Sequence, residues 1–324
     1  MSEWLQRQWY RLGLWHVLLI PLSWLFYLLI TVRRLGYQIG LIKSYKLAVP
    51  VIVVGNITVG GTGKTPLVIW LVQHLQAAGF SPGVISRGYA GDTTGVTAVG
   101  VNSNPLIVGD EPVLLAKRLK CPVFVGSDRV AVAHALLEAH KNCDVIVSDD
   151  GLQHYRLQRD VEIAVIDAER RFGNARLLPA GPLREAISRL KKIDAIVYNG
   201  HANDDGYAMR LKSGAIQHLL DPAKTVSVAE LAAGDILAIA GIGNPQRFFS
   251  QLQAMGLRFR QRAFADHHPF SHGDLQNEHA DMILMTEKDA VKCAAFAQPN
   301  WWYLPVDAAV DEGLFDHVLQ KLRN

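Results

Sequence analysis

Cysteine is scarce in this sequence, and the few cysteines form no recognisable pattern. Among the 324 residues there are only three, Cys121, Cys143 and Cys293, and they are widely spaced. An odd number at such spacing excludes a disulfide framework and does not match the paired cysteines of a zinc motif. We therefore expect the chain to fold in a reducing compartment such as the cytosol.

Acidic residues are absent from a long stretch near the N-terminus. None lies between Glu3 and Asp92, and the basic residues of this stretch are Arg7, Arg11, Arg33, Arg34, Lys43, Lys46, Lys64 and Arg87. Such an excess of positive charge favours a nearby phosphate or an anionic lipid surface, with local drift in composition as the alternative. The formal net charge of the whole chain is only +3, so charge alone does not indicate a nucleic-acid partner.

Charged side chains are also missing from residues 12–32, an apolar run about as long as the ~20 residues of a bilayer-spanning helix. Arg33 and Arg34 end the run and no small-residue cleavage site follows, which argues against a signal peptide. On a helical period the polar side chains share one narrow stripe: His16, Ser23, Tyr27, Thr31 and Arg34. This stripe and Pro21 favour a helix embedded in the membrane interface over a spanning helix. A buried core helix is the remaining alternative.

Beyond residue 49, short apolar runs alternate with amphipathic segments, which is typical of a mostly parallel sheet flanked by helices. The runs that predict strands are Val51–Val54, Gly83–Ile85, Val123–Val125, Val145–Val147, Ile163–Ile166 and Ala195–Tyr198. The pattern weakens over residues 204–224. It then resumes with Ile236–Ala240, a helix after Pro245, and Met282–Met285.

A glycine-rich loop follows the first predicted strand. Its residues are Thr58, Val59, Gly60, Gly61, Thr62, Gly63, Lys64 and Thr65, and they match the Walker A pattern except that threonine replaces the first glycine. A helix over Pro66–Ala78 is predicted next, with the proline in its first turn, where a missing N–H has little effect. In this setting, backbone N–H groups bind the β-phosphate of ATP, Lys64 reaches the β/γ oxygens, and the Thr65 hydroxyl coordinates Mg²⁺.

Asp149 and Asp150 follow the apolar run Val145–Val147. An acid at the carboxyl end of such a strand holds Mg²⁺ directly or through water in Walker B sites. A simple Asp-Asp-Gly turn is the alternative for this triplet taken alone.

Two further pairs of polar residues stand out. Asp110 and Glu111 precede a predicted helix, where helix capping is the default role and a base or metal contact the alternative. His267 and His268 are adjacent on a predicted loop, and histidine is the usual proton carrier near neutral pH.

These patterns predict an α/β fold of the P-loop NTPase type, with a mostly parallel sheet and flanking helices. We divide the chain into an N-terminal membrane-associated helix at 1–40, a P-loop core domain at 41–222 and a smaller C-terminal α/β domain at 223–324.

Seven motifs, taken in chain order, resemble those of the tetraacyldisaccharide 4′-kinases of lipid A biosynthesis. They occupy residues 60–66, 86–89, 109–112, 149–154, 178–185, 266–268 and 286–289. The likeness extends from the apolar helix to the last strand, and several motifs are rare elsewhere. The set is therefore far more specific than the P-loop alone.

The resemblance implies a kinase that uses ATP and Mg²⁺ to phosphorylate the 4′-hydroxyl of a tetraacyldisaccharide 1-phosphate. The product would be lipid IVA, a lipopolysaccharide precursor. It also implies contact with membrane lipids at the cytoplasmic face of the Gram-negative inner membrane, with no nucleic-acid partner; no protein partner is inferred. The smaller domain is expected to close over the nucleotide.

The resemblance further implies an Asp–His dyad that activates the sugar hydroxyl. By motif the pair is Asp110 and His267, with His268 as the alternative histidine. The unranked candidates for contact with Mg²⁺ or its waters are Thr65, Glu111, Asp149 and Asp150. The candidate phosphate-binding arginines are Arg87, Arg170, Arg171, Arg176 and Arg184. No role is assigned to the motif Thr286–Asp289.

Three other classes of protein compete with this interpretation. A GTPase would need a base-reading Asn-Lys-x-Asp motif, which residues 198–201 lack. A soluble small-molecule kinase is disfavoured by residues 12–32. A membrane-tethered P-loop ATPase without a lipid acceptor is the strongest alternative, and lipid-independent ATP hydrolysis would distinguish it.

Overall fold

The computed structural model describes residue 9 and residues 13–88, 95–202, 205–231, 234–276 and 278–323. Tyr89 of the motif at 86–89, and the basic residues Arg7 and Arg11, lie outside the described residues.

A long helix, α1, spans Leu14–Gln38 and includes Pro21. Over Val17–Gln38 its mean hydropathy is 1.6 with 6 % of the hydrophobic window buried, so by length and composition it could cross a membrane. Large apolar side chains such as Trp24 stand in solvent. Ser23, from the predicted polar stripe, is buried instead, donating to the carbonyl of Leu177 at 2.9 Å. Ser23 therefore faces the body of the protein, whereas Tyr27 and Thr31 of the same stripe are exposed together with the large apolar side chains.

Nine strands form the first sheet: β1 (Val51–Gly55), β2 (Pro82–Ser86), β3 (Thr97–Val99), β4 (Val123–Val125), β5 (Val145–Asp149), β6 (Val161–Asp167), β7 (Ala195–Asn199), β8 (Tyr207–Ser213) and β15 (Val306–Val310). Their order is β15-β8-β7-β6-β1-β5-β2-β4-β3. The central strands are parallel, and the outermost pairs β3–β4 and β15–β8 are antiparallel. All six strands predicted for this region are confirmed.

Helices cover both faces of this sheet: α2 (Lys64–Ala77), α3 (Pro105–Val108), α4 (Asp110–Arg118), α5 (Arg129–Ala139), a 3₁₀ turn (Ile187–Lys192) and α10 (Gly313–Arg323). Because both faces are covered, β1 and β5 are buried at every residue, as expected for uninterrupted apolar runs. The helix predicted at Pro66–Ala78 begins two residues earlier, directly at Lys64.

Six strands form the second sheet: β9 (Ile216–His218), β10 (Thr225–Val226), β11 (Ile236–Ala240), β12 (Arg260–Ala263), β13 (Met282–Thr286) and β14 (Trp301–Leu304). Their order is β10-β9-β14-β13-β11-β12. The accompanying helices are α6 (Val228–Leu231), α7 (Pro245–Ala254), α8 (His272–Leu275), α9 (Glu287–Cys293) and the 3₁₀ turn Ala294–Phe296. The strands predicted at Ile236–Ala240 and Met282–Met285 and the helix after Pro245 are confirmed.

The chain leaves the first sheet after β8 and returns to it at β15. The second sheet therefore takes residues between 216 and 304, which differs from the segment 223–324 expected from the sequence. The physical reason is that β8 needs a partner at its open edge and α10 buries apolar side chains in the first core. Leu314 and Val318 of α10 are fully buried there.

Candidate active site

The functional side chains meet where parallel strands of the first sheet end. β1 leads into the glycine-rich loop, β5 ends at Asp149, and α4 begins at Asp110. Loops of the second sheet complete the site from the opposite side. This is the position in which open α/β sheets bind ligands, because the carboxyl ends of parallel strands share one edge.

Side-chain amides hold the glycine-rich loop in shape. Asn56 Nδ2 donates to the Gly60 carbonyl and to Thr62 Oγ1, both at 3.3 Å, while Asn199 Nδ2 donates to the Thr62 carbonyl at 3.0 Å. Gly63 has a φ of 93°, and a Cβ there would lie 2.4 Å from Asn199 Nδ2. Only glycine fits this position, which explains the retained second glycine of the Walker pattern.

The N-terminus of α2 points at the loop, and no side chain neutralises its partial positive charge among the described residues. Among the described residues it has no side-chain cap, and its first turn contains no acidic residue. Free backbone N–H groups and the helix dipole together make an anion-binding position. Lys64 adds a positive charge at the same place and lies 3.5 Å from Asp150 Oδ1.

Arg170 joins the glycine-rich loop to the second sheet. Its guanidinium donates to the Gly61 carbonyl, and also to the Gly243 carbonyl at 3.4 Å. Asp167 orients it through a 3.2 Å hydrogen bond at Nε. A Cβ on Gly243 would lie 2.9 Å from the Gly61 nitrogen, so the two loops approach backbone to backbone. One predicted phosphate-binding arginine thus lies beside the loop.

Asp149 is a buried carboxylate whose negative charge is poorly balanced by nearby cations and hydrogen-bond donors. It is fully buried, and its Oδ1 has no hydrogen-bond partner in the described part of the chain. Burial and the nearby charge of Glu111 raise its pKa to about 7. Asp150 differs from Asp149. Burial would raise its pKa, but the positive charges of Lys64 and Arg184 hold that pKa well below the usual range. Arg184 Nη1 lies 3.0 Å from Asp150 Oδ2.

These carboxylates fit a divalent cation such as Mg²⁺. The described residues contain no group of three or more histidine, cysteine or acidic side chains that could hold a metal alone. Mg²⁺ usually takes only one or two carboxylates, with phosphate oxygens and water completing its shell. Asp150 and Glu111 already face cations, the latter Lys288 at 3.0 Å. Asp149 is therefore the carboxylate best suited to the ion.

Asp110 and His267 form a hydrogen-bonded pair between the two sheets. His267 Nδ1 lies 3.2 Å from Asp110 Oδ1 and 3.1 Å from Oδ2. Burial alone would raise the pKa of Asp110, but the His267 hydrogen bond and the charges of Lys288 and Lys292 lower it to about 2. The His267 backbone has a φ of 58°, a left-handed conformation that favours glycine.

His268 does not reach Asp110. Its ring packs against Phe264 and Phe270, with centroids 4.8 Å away in both cases, and its Nε2 lies 3.3 Å from Asp274 Oδ1. Of the two adjacent histidines that the sequence offered, the structure brings His267 to the carboxylate.

Several residues of the site were not assigned from the sequence. Asn56 and Asn199 carry no motif signal beyond their position after predicted strands. Lys288 lies in the motif Thr286–Asp289, which was noted without a role. Its position beside the dyad depends on the packing of α4 against α9. These helices are far apart along the chain, so the sequence does not indicate the contact.

Comparison with known proteins gives consistent results along the whole chain. The family model described as tetraacyldisaccharide-1-P 4′-kinase matches residues 15–323. The tetraacyldisaccharide 4′-kinase of Methylobacillus flagellatus is 52 % identical over 322 residues, covering 99 % of this chain and 96 % of that protein. The enzyme of Aeromonas hydrophila is 49 % identical, covering 98 % and 96 %.

A solved structure shows the same architecture. The crystal structure of LpxK from Aquifex aeolicus in complex with ATP matches with a TM-score of 0.81 and 28 % identity. The match covers 95 % of this chain and 100 % of that one. The predicted fold class is confirmed, and the chain belongs to the tetraacyldisaccharide 4′-kinase family.

Proposed function

We propose that this protein transfers the γ-phosphate of ATP to the 4′-hydroxyl of a tetraacyldisaccharide 1-phosphate, giving lipid IVA. The observation that carries the proposal is the Asp110–His267 pair opposite the glycine-rich loop. A P-loop ATPase that uses water has no need of such a pair. Family membership over residues 15–323 and the ATP complex of the Aquifex aeolicus relative support the same conclusion.

Each side of the reaction has its own set of residues. Lys64, Arg170 and the open end of α2 hold the phosphates of ATP. A bound Mg²⁺, held by Asp149 and Thr65, would neutralise charge on the β/γ oxygens. Asp110 accepts the proton of the sugar hydroxyl, and His267 holds that carboxylate in place.

A carboxylate with a pKa near 2 is a weak base, yet it suits this reaction. In the loose transition state of phosphoryl transfer, bonding to the incoming oxygen is slight. The hydroxyl therefore becomes acidic only late, when the new P–O bond forms. Asp110 has to orient the hydroxyl before that moment and accept its proton afterwards, and an ionised group does both.

The apolar surface of α1 supports a lipid acceptor and a position in the membrane interface. A cavity of about 220 Å³ lies between α1 and residues 175–187, lined by apolar side chains such as Trp24 and Leu177. Since ATP is cytosolic, we propose that the protein is embedded by α1 in the cytoplasmic face of the inner membrane. The basic residues that flank α1, such as Arg33 and Arg34, would face anionic headgroups.

The direct test is transfer of labelled γ-phosphate from ATP to a tetraacyldisaccharide 1-phosphate, followed by location of the new phosphate on the sugar. We expect transfer to the 4′ position. Asp110→Asn should lower kcat by about 10²- to 10⁴-fold, the usual contribution of a general base. Asp316→Asn, an exposed carboxylate on α10, is the matched control. ATP consumption at the same rate without lipid would instead support the ATPase alternative.

A further inference from the structure

Three consecutive carbonyl groups of the glycine-rich loop each accept a hydrogen bond from a side chain. The acceptors and their donors are Gly60 with Asn56, Gly61 with Arg170, and Thr62 with Asn199. These peptide units are trans, so each C=O and the N–H that follows it point in opposite directions. Each bond therefore turns one loop N–H away from the side chain that holds the carbonyl, as an anion-binding loop requires.

Asn199 ends β7 and uses both ends of its amide. It is only 1 % exposed. Its Nδ2 donates to the Thr62 carbonyl at 3.0 Å, and its Oδ1 accepts from Arg247 Nη2 at 2.8 Å. Arg247 lies in the first turn of α7, a helix of the segment that forms the second sheet. The amide therefore connects the phosphate loop directly to that segment.

The guanidinium of Arg247 is held in place by contacts with the first sheet. Its Nη1 lies 3.7 Å from Asp167 Oδ2, and the same carboxylate orients Arg170. One helical turn further along α7, Gln251 Nε2 donates to Ser213 Oγ of β8 at 2.6 Å. Two successive turns of α7 are thus attached to the first sheet, and the guanidinium meets the amide in a fixed geometry.

We propose that Asn199 is a positioning residue and that Arg247 sets the direction of its amide. A guanidinium can only donate, so the amide oxygen has to face it and the NH₂ group has to face the Thr62 carbonyl. If the amide turned over, its oxygen would face the carbonyl oxygen and the loop would lose a donor. The inference rests on the binding of ATP by this loop, as proposed above.

The arrangement couples the nucleotide site to the position of α7. Without Arg247, the buried Oδ1 of Asn199 would lose its donor, which is unfavourable. Arg170 acts in the same direction, because its guanidinium donates both to the Gly61 carbonyl and to the Gly243 carbonyl just before α7. Docking of α7 and binding of ATP therefore stabilise each other, as linkage requires.

Calorimetric binding of ATP and Mg²⁺ by the detergent-solubilised full chain tests the proposal. Arg247→Met removes the donor and keeps an unbranched stem. We expect ATP affinity to fall about 5- to 50-fold, within the usual range of coupling between neighbouring residues. Arg247→Lys, still a donor-only cation, should recover part of the loss. Arg258→Met, at an exposed arginine of the same segment, is the control and should bind ATP as the wild type does.

A double-mutant cycle separates this role from a general effect on packing. Asn199→Ala should weaken ATP binding by itself. If Arg247 acts through Asn199, adding Arg247→Met to that variant should lower the affinity by less than about twofold more. Asn199→Asp keeps an acceptor for Arg247 but has no donor for the Thr62 carbonyl. Its ATP affinity should therefore fall although the pair with the arginine remains.

The kinetic readout distinguishes the two substrates. Arg247→Met should raise the KM for ATP about 5- to 50-fold, because it removes binding at the phosphate loop. The KM for the lipid acceptor should change by less than about twofold, because the residue acts on the nucleotide side of the site.

Wild-type ATP affinity in Arg247→Met or in Asn199→Asp overturns the inference. So does a full further loss when Arg247→Met is added to Asn199→Ala. If Asn199→Ala fails to fold, the affinities of the Arg247 variants and of Asn199→Asp decide the question. A wild type that phosphorylates the lipid leaves the proposed function intact in each of these cases. A wild type that binds no ATP or transfers no phosphate to the lipid would instead contradict the function itself.

Discussion

At the scale of single residues, the site contains carboxylates whose charges are balanced very differently. Asp110 and Asp150 are surrounded by cations, whereas Asp149 is buried beside another acid. A buried and uncompensated carboxylate destabilises the folded state when it ionises. This imbalance supports the proposal that Asp149 would bind a cation together with the nucleotide, and it reduces the stability of the folded protein when no cation is bound.

Asp149→Asn should stabilise the nucleotide-free protein at alkaline pH. The folded-state pKa of about 7 lies above the ordinary value of 3.8, so the destabilisation is absent below about pH 4 and complete above about pH 7. At pH 8 in EDTA, we expect a gain of up to about 4 kcal/mol in the free energy of unfolding. Urea unfolding from pH 5 to 8 measures it, with Asp316→Asn as control. A gain that does not grow with pH would contradict the assignment.

Gly63→Ala should disable the phosphate loop. The new Cβ would displace Asn199 Nδ2, 2.4 Å away, and break its hydrogen bond to the Thr62 carbonyl. We expect ATP affinity to fall about tenfold or more, measured by calorimetry, and stability to fall by about 1–3 kcal/mol. Gly79→Ala is a matched control because its φ of 92° is equally positive but no atom lies within 4 Å. Equal ATP affinities in the two variants would show that the contact is unimportant.

At the scale of elements, α1 is attached to the body by one face and leaves the other uncovered. The attachment is polar, through Ser23, and the uncovered face contains large apolar side chains. Soluble monomers rarely expose so large an apolar surface without a partner. The exposed apolar face of α1 therefore favours a lipid interface as its surroundings over packing against the rest of the chain.

Replacing Leu18, Trp24 and Leu28 together by glutamine should weaken binding to anionic vesicles without lowering the melting temperature. All three are more than half exposed, so little packing is lost, whereas burying each in lipid is worth on the order of 1–3 kcal/mol. We expect the vesicle partition coefficient to fall at least about tenfold in co-sedimentation. Leu220→Gln, an exposed leucine of the second sheet's segment, is the control. Unchanged partitioning would rule out α1 as the anchor.

At the scale of the whole molecule, the chain returns from the second sheet to the first. After Leu304 it leaves the second sheet, adds β15 beside β8, and packs α10 on the first core. Phe315 lies against Trp70 and His74 of α2, the helix that follows the phosphate loop. Through this contact α10 consequently supports the helix that follows the phosphate loop.

Leu314→Ala should destabilise the P-loop domain by about 2–5 kcal/mol, the usual range for a fully buried leucine. Backbone amide exchange should become faster in α2 and not in α7, because Leu314 belongs to the core of the first sheet. Hydrogen–deuterium exchange followed by mass spectrometry measures the rate in each helix. Leu252→Ala, equally buried in the core of the second sheet, should produce the opposite pattern. Faster exchange in α7 of the Leu314 variant would contradict the topology.

Local features could be read from the sequence because neighbouring residues determine them. The apolar runs predict every central strand of the first sheet, since a strand buried on both faces needs apolar side chains throughout. Glycine marks the phosphate loop because Gly60 and Gly63 adopt positive φ angles, 103° and 93°, that other residues rarely adopt. The apolar composition of residues 12–32 likewise predicts α1, whose large apolar side chains are mostly exposed.

Contacts between residues that are far apart along the chain could be identified only from the tertiary structure. Asp110 and His267 are 157 positions apart, and only the packing of α4 against the second sheet decides that this histidine, and not His268, faces the carboxylate. The return of β15 to the first sheet follows from an open strand edge that no local pattern encodes. The sequence by itself determined the chemistry available to the protein and the kind of surface it meets. The fold decided which groups act together, because strand pairing and core packing bring side chains together regardless of their distance along the chain.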